Sequence, residues 1–481
     1  EGVNNLGYHK TQLTVVLNDN SMSISKSVGA LSRYLTKIIT NPTYNKIRND
    51  IWDISGKLPV GSKTIRRFLR KTQMGIKNYI TPGSLFEDLG LRYIGPVDGH
   101  NIAELIKVFK SVKDMNSPVL VHVLTSKGKG SDLAEKDSVK YYSVSGEKSS
   151  SSDGIGFSNV FGDSMCDIAK VNNNVMCITA AMEKGTGMSE FVDKYPDNYI
   201  DVGIAEEHAI TYGAGLACEN IVPVVALYST FAQRAYDQIF HDVSLQDLPM
   251  VLCLDRAGVV GPDGPTHHGV FDISILRSLP NIVISSPANG TELRNLIYTA
   301  ISSKKLFIIR YPKSDTIEYD RSLPFLTYDI GKWSIINPGE KILILSTGPF
   351  YYDIIDNIEY IKTNLGYEPT IVHARFIKPI DTKMLKDLSL SHDTIVTVEE
   401  GTEIGGFGSG ILEFISRNNI DVNVENIAIP DKYIEHASRS EQLDEIGLSG
   451  QRIANNIISV GNSISKNKTV TKIVSLSKDV D

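Results

Sequence analysis

Cysteine is scarce, with four residues in a chain of 481: Cys166, Cys177, Cys218 and Cys253. They lie singly, mostly within apolar segments, and no two have the spacing of a metal or redox pair. This excludes a disulfide framework and predicts reduced core thiols, as suits a reducing compartment. No apolar run is long enough to span a bilayer, so no membrane partner is expected. Basic charge is not in excess, with Lys plus Arg at 49 against Asp plus Glu at 56, and the net charge of −7 argues against nucleic acid as the main partner. There is no repeat of solenoid length. No signal or transit peptide is visible, so any targeting segment is expected to have been removed or never included. The remainder, 41% hydrophobic and 22% charged, is the composition of a soluble globular protein. Its length predicts about two to four domains.

Short β-rich runs alternate with helical stretches along the chain. Residues 13–17 read as a buried parallel strand, followed by the polar turn Asn18-Asp-Asn20. Residues 27–80 are basic and helical in pattern. Strands follow at 91–100 and 119–124, then at 175–179, 199–202, 223–227, 250–254 and 282–284, and finally at 341–346, 370–373 and 394–398. The polar stretch 132–156, with Ser149-Ser-Ser-Ser152 inside it, reads as a flexible linker. The fold class is therefore α/β, with three doubly wound, mostly parallel-sheet domains at 1–131, 157–320 and 321–462 and a polar tail at 463–481.

Residues 255–272 form a loop rich in Gly and Pro that carries Arg256, Asp263, His267 and His268. Cation, carboxylate and imidazole together suit a small anionic, oxygenated substrate: Arg for phosphate or carboxylate, Asp and His for hydroxyls and proton transfer. The loop can also be read as solvated surface. Upstream, Glu206 and Glu207 follow an extended segment and open a Gly- and Ala-rich helix. A carboxylate there sits where α/β enzymes place ligands, although acidic residues also favour a helix amino terminus through the dipole. Tyr228, Phe231 and Arg234 come next at helical spacing, which by itself reads as packing plus a surface ion pair. Arg310-Tyr-Pro-Lys313 supplies two further cations, and Lys127 stands in a glycine-flanked loop. The run Glu399–Gly410 has the glycines of a dinucleotide loop, but such a lone match is weak, and we read it as structural.

The loop 255–272, together with Tyr93-Ile-Gly-Pro-Val-Asp-Gly-His100, resembles the 1-deoxy-D-xylulose-5-phosphate synthases, transketolase-like thiamine diphosphate enzymes. The likeness runs from about Leu13 to Gly447. It implies two thiamine-diphosphate-binding folds plus a transketolase C-terminal domain, a homodimer, and the cofactors thiamine diphosphate and Mg2+. The implied substrates are pyruvate and glyceraldehyde 3-phosphate. The implied product is a precursor of isoprenoids that also feeds thiamine and pyridoxal synthesis. Residue by residue, the resemblance assigns Glu206 to the aminopyrimidine and Phe231 to stacking on its ring, with Tyr228 and Arg234 in the same pocket. Asn20 and Met22 would hold Mg2+ through a side-chain and a backbone oxygen. Lys127 would approach the phosphates of the cofactor. Arg256 and either Arg310 or Lys313 would bind the triose phosphate, and Asp263 and His267 its aldehyde and hydroxyls. His268 is expected to be a neighbour. The sequence departs from the family in two ways. The Gly-Asp-Gly half of the metal motif is absent, so 1–131 reads as the C-terminal part of the diphosphate-binding domain. Tyr142 stands where relatives carry His. A composition leaning to Asn, Lys and Ile suggests an AT-rich genome and a plastid-type organelle such as an apicoplast, the alternative being a bacterial cytoplasm.

Overall fold

The computed structural model describes residues 2–20, 84–137, 141 and 154–476, with 464–476 described by backbone alone. The expectations for Met22, Tyr142, the basic stretch 27–80 and the run Ser149–Ser152 lie outside the described residues. The chain divides into two compact units, Glu1–Ser149 and Ser150–Asp481.

In the first unit, β1 (Thr14–Asp19), β2 (Arg92–Asp98) and β3 (Val119–Leu124) form a parallel sheet in the order β1-β3-β2. The Val- and Leu-rich β3 is central and buried nearly throughout, as a strand covered on both faces must be. β1 departs from the expected burial. It is an edge strand of the described sheet, and its residues alternate between exposed and half-buried. The first residues of the expected linker are ordered as a short helix, Asp132–Lys136.

In the second unit, β4 (Val175–Thr179), β5 (Tyr199–Asp201), β6 (Val222–Tyr228), β7 (Met250–Ala257), β8 (Ile282–Ser285) and β9 (Leu306–Pro312) are parallel. A further sheet holds β10 (Ser334–Asn337), β11 (Lys341–Ser346), β12 (Thr370–His373), β14 (His392–Thr402) and β15 (Asn423–Ile429) in the order β10-β12-β11-β14-β15. The intervening β13 (Phe376–Lys378) leaves that sheet and pairs antiparallel with β8, completing the seven-stranded order β13-β8-β9-β7-β6-β4-β5. One core cluster accordingly runs from Phe157 through Phe307 to Trp333, Phe376 and Phe407. The segments 157–320 and 321–462, expected as two domains, thus share one core. The final helix, Gly450–Leu476, continues through most of the segment expected to be a polar tail. Three cysteines are buried as expected, but Cys218, at the end of the helix Glu206–Cys218, is exposed.

Candidate active site

The candidate residues of the second unit cluster at the carboxyl ends of adjacent parallel strands. Tyr228 closes β6, Arg256 is next to last in β7, Lys313 follows β9, and Glu206 begins the helix that follows β5. From β4 the chain steps to β5 on one side and to β6 on the other, so the strand order reverses there. Sheets of this kind open a ligand crevice at such a reversal.

Side chains form a continuous line across these ends. Glu206, 2% exposed, accepts a 2.7 Å hydrogen bond from the Arg234 guanidinium. Arg234 lies over the Phe231 ring, 4.7 Å from its centroid. Phe231 stacks beside Tyr228 at 5.7 Å and meets the His267 ring edge-on at 5.3 Å. The Arg256 guanidinium covers the other end, 4.0 Å from the Tyr228 centroid. Asp263 Oδ2 then accepts from both Arg256, at 3.1 Å, and Lys313, at 2.6 Å.

Burial pushes the Tyr228 phenol above its ordinary range, which keeps it a neutral hydroxyl. Burial also pushes up the Asp263 carboxyl, but its hydrogen bond to Lys313 and the charges of Lys313 and Arg256 outweigh this and hold it below the usual carboxylate range. A single carboxylate oxygen shared by two cations marks a place that suits one oxygen of a phosphate. At the other end, a buried acceptor beside an aromatic face fits a flat aminopyrimidine. Arg234, whose side chain is 47% exposed, has room to give way to it.

In the first unit, Asp19 lies opposite Leu124 in the parallel register, so Asn20 and the loop holding Lys127 follow neighbouring carboxyl ends. Asn18, Asp19 and Asn20 offer oxygen donors, the type that Mg2+ takes. Asp19 is held from behind. His122, fully buried, bonds Asp19 Oδ2 at 3.0 Å through Nε2 and the Tyr93 hydroxyl at 2.7 Å through Nδ1. His100 Nε2 accepts from the backbone N–H of Ser126, beside Lys127, at 2.8 Å.

Arg310, expected as an alternative to Lys313, lies apart from this line of side chains. It is 3% exposed, and it donates to Asp272 at 2.8 Å and to the Glu400 carbonyl at 2.8 Å. A guanidinium so enclosed is not presented to a ligand, whereas Lys313 meets Arg256 at Asp263. His268, expected to be a neighbour, lies behind the loop. It is buried and links the Val260 N–H to the Ile434 carbonyl. Glu399, in the glycine-rich run, is fully buried and accepts from the Phe407 and Gly408 N–H groups. Burial drives its carboxyl up to about 7.

Sequence reasoning missed Asp255, although it adjoins Arg256. It is fully buried, accepts from Ser158 at 2.7 Å, and is pushed up to about 6 by burial. The signal was an acidic residue ending an otherwise apolar strand. His122, inside an apolar strand, gave no local signal.

A 1-deoxy-D-xylulose-5-phosphate synthase family model matches residues 1–125, a transketolase pyrimidine-binding domain model 153–317, and a transketolase C-terminal domain model 331–453. The chain is 40% identical to the 1-deoxy-D-xylulose-5-phosphate synthase of Natranaerobius thermophilus, over 95% of the chain and 74% of the relative. It is 44% identical to that of Aquifex aeolicus, over 94% and 72%. Among solved structures, a transketolase from Campylobacter jejuni matches with TM-score 0.53 at 14% identity, over 95% of this chain and 74% of that one. A split-gene transketolase described as an inactive tetramer matches with TM-score 0.58 at 22% identity, over 64% and 98%. At these identities the structural likeness shows the fold alone: transketolase-like α/β with mostly parallel sheets.

Proposed function

As the chain belongs to the 1-deoxy-D-xylulose-5-phosphate synthase family, we propose that it condenses pyruvate with D-glyceraldehyde 3-phosphate, with loss of CO2, to give 1-deoxy-D-xylulose 5-phosphate, using thiamine diphosphate and Mg2+. The observation that carries this reading is the unbroken line from Glu206 through Arg234, Phe231 and Tyr228 to Arg256, Asp263 and Lys313. One end suits a nitrogen heterocycle and the other a phosphate.

The chemistry supplied when thiamine diphosphate is bound is an electron sink for the carbon that loses CO2. Glu206 would hold the aminopyrimidine by a hydrogen bond from a dry position, with Phe231 against its ring and Arg234 alongside. Asn20, with Met22 and Lys127, would hold the Mg2+ and diphosphate end. Arg256 and Lys313 bind the triose phosphate, fixing its aldehyde near Tyr228, His267 and Asp263. His267 and Asp263 orient the aldehyde and hydroxyls, and His267 can pass a proton to the oxygen formed on carbon–carbon bond formation. Pro262 and Pro265 stiffen the loop that carries them.

The enzyme works as a homodimer in this reading. Among the described residues no helix is long and apolar enough to cross a membrane. The relatives named above are bacterial, which favours a bacterial cytoplasm over a plastid-type organelle. The test is product analysis. Labelled pyruvate and glyceraldehyde 3-phosphate, incubated with the protein, thiamine diphosphate and Mg2+, should yield labelled 1-deoxy-D-xylulose 5-phosphate. A ketose made instead from a sugar-phosphate donor would show a transketolase.

A further inference from the structure

The loop 255–272 follows an unusual path. Arg256 has φ +61°, and Gly258, Gly261 and Gly264 have φ +81°, +77° and +73°. A chain so rich in left-handed positions has many alternative routes and needs to be held. Between Arg256 and Asp263 the loop holds itself in part, through the Gly258–Gly269 backbone pair and the His268 bond to the Val260 N–H, and it is held in part from the far end of the sequence. The Val259 N–H donates to Glu400 Oε1 at 2.9 Å, and Arg439 donates to the Val259 carbonyl. Glu400 and Arg439 are themselves ion-paired. The Gly261 N–H donates to Gln442 Oε1 at 2.8 Å, and Gln442 Nε2 donates back to the Gly261 carbonyl at 3.0 Å and to the Glu435 carbonyl at 2.9 Å. Gln442 has no solvent exposure. At Gly258 an added Cβ would lie 2.1 Å from the Glu400 carboxyl carbon, so glycine is required where the two segments press together.

We infer that Gln442, backed by the Glu400–Arg439 pair, is a positioning residue for substrate recognition: its amide clasps both polar groups of Gly261 and so fixes Arg256 and Asp263 for the triose phosphate. The inference rests on the reading of this loop as the phosphate-binding element. Only a carboxamide serves both contacts. An ionised carboxylate lacks the donor, and an alkyl group lacks both, leaving the buried Gly261 N–H unpaired and its carbonyl with the Gly264 N–H alone.

The test compares Gln442→Leu and Gln442→Glu with wild type. For Gln442→Leu, the KM for glyceraldehyde 3-phosphate should rise about tenfold, the loss expected for unmaking buried hydrogen bonds. The KM for pyruvate and the dissociation constant of thiamine diphosphate with Mg2+ should stay within about twofold, since Glu206 and Phe231 do not touch the clasp. For Gln442→Glu, the triose-phosphate KM should improve relative to wild type as pH falls from about 8 to about 6, because protonation restores a donor. A purely structural role would move all three constants together. That outcome overturns the inference, as would no change in any of them or loss of folding in both variants. A wild type that makes no product would instead sink the functional reading. Backbone amide exchange of residues 258–264, measured without substrate, still tests the clasp in that case. It should quicken in Gln442→Leu, and unchanged exchange contradicts the inference.

Discussion

At the scale of single residues, Arg256 and Lys313 converge on one oxygen of Asp263, whereas the neighbouring Arg310 is sealed beneath them against Asp272. Different consequences follow for similar substitutions. Arg256→Ala and Lys313→Ala should each raise the KM for glyceraldehyde 3-phosphate by about tenfold or more, with little effect on pyruvate, in steady-state assays. Arg310→Met should leave the buried Asp272 unpaired and cost about 3–5 kcal/mol in denaturant unfolding. Asp255 adds a pH dependence. Its folded value, about 6, lies above the ordinary 3.8, so its contribution to stability is fully present below about 3.8 and is lost as pH rises through about 6. Asp255→Asn, which cannot ionise, should therefore gain in melting temperature relative to wild type between pH 4 and pH 7.5. Parallel melting profiles would contradict the burial argument. The sequence could not separate Arg310 from Arg256 or Lys313. All three stand in or just after strands, and only the fold decides which is enclosed.

At the scale of elements, the helix Gly290–Ser303 is pinned to β12 and the residues after it through one carboxylate. Glu292 accepts from Arg375 at 2.5 Å and bonds His373 at 2.7 Å, while its own backbone N–H is capped by Asn289. Burial alone would raise the Glu292 carboxyl, but His373 and Arg375 bring it down to about 2. This stability is present above its ordinary value of 4.5 and is lost as pH falls through about 2. Glu292→Gln should lower the melting temperature at neutral pH, and the gap to wild type should narrow on acidification. The strands were the most legible part of the chain, because buried parallel strands are continuous apolar runs. Val175–Thr179 and Lys341–Ser346 have the bounds their residues suggest. β13 was not legible. A three-residue strand has no periodicity, and its partner β8 lies far back in the chain. The hold of Gln442 on Gly261 spans 181 residues and leaves no local pattern.

At the scale of the whole molecule, sharing one core between 157–320 and 321–462 means that the loop 255–272 and the segment that holds it unfold together. A single cooperative transition is expected for the second unit in calorimetry. Light scattering should give twice the chain mass if the homodimer reading holds. Motif resemblance named candidate residues for the site but not their partners, since ion pairs and clasps are set by packing. The central claim is that Glu206 and the loop 255–272 serve one reaction on pyruvate and a triose phosphate. It is tested most directly by CO2 release from pyruvate with thiamine diphosphate and Mg2+, with and without glyceraldehyde 3-phosphate, in wild type and Glu206→Ala. The account predicts release that the aldehyde stimulates and that falls by about a hundredfold or more in the variant. Release indifferent to the aldehyde, or undiminished in Glu206→Ala, would contradict it.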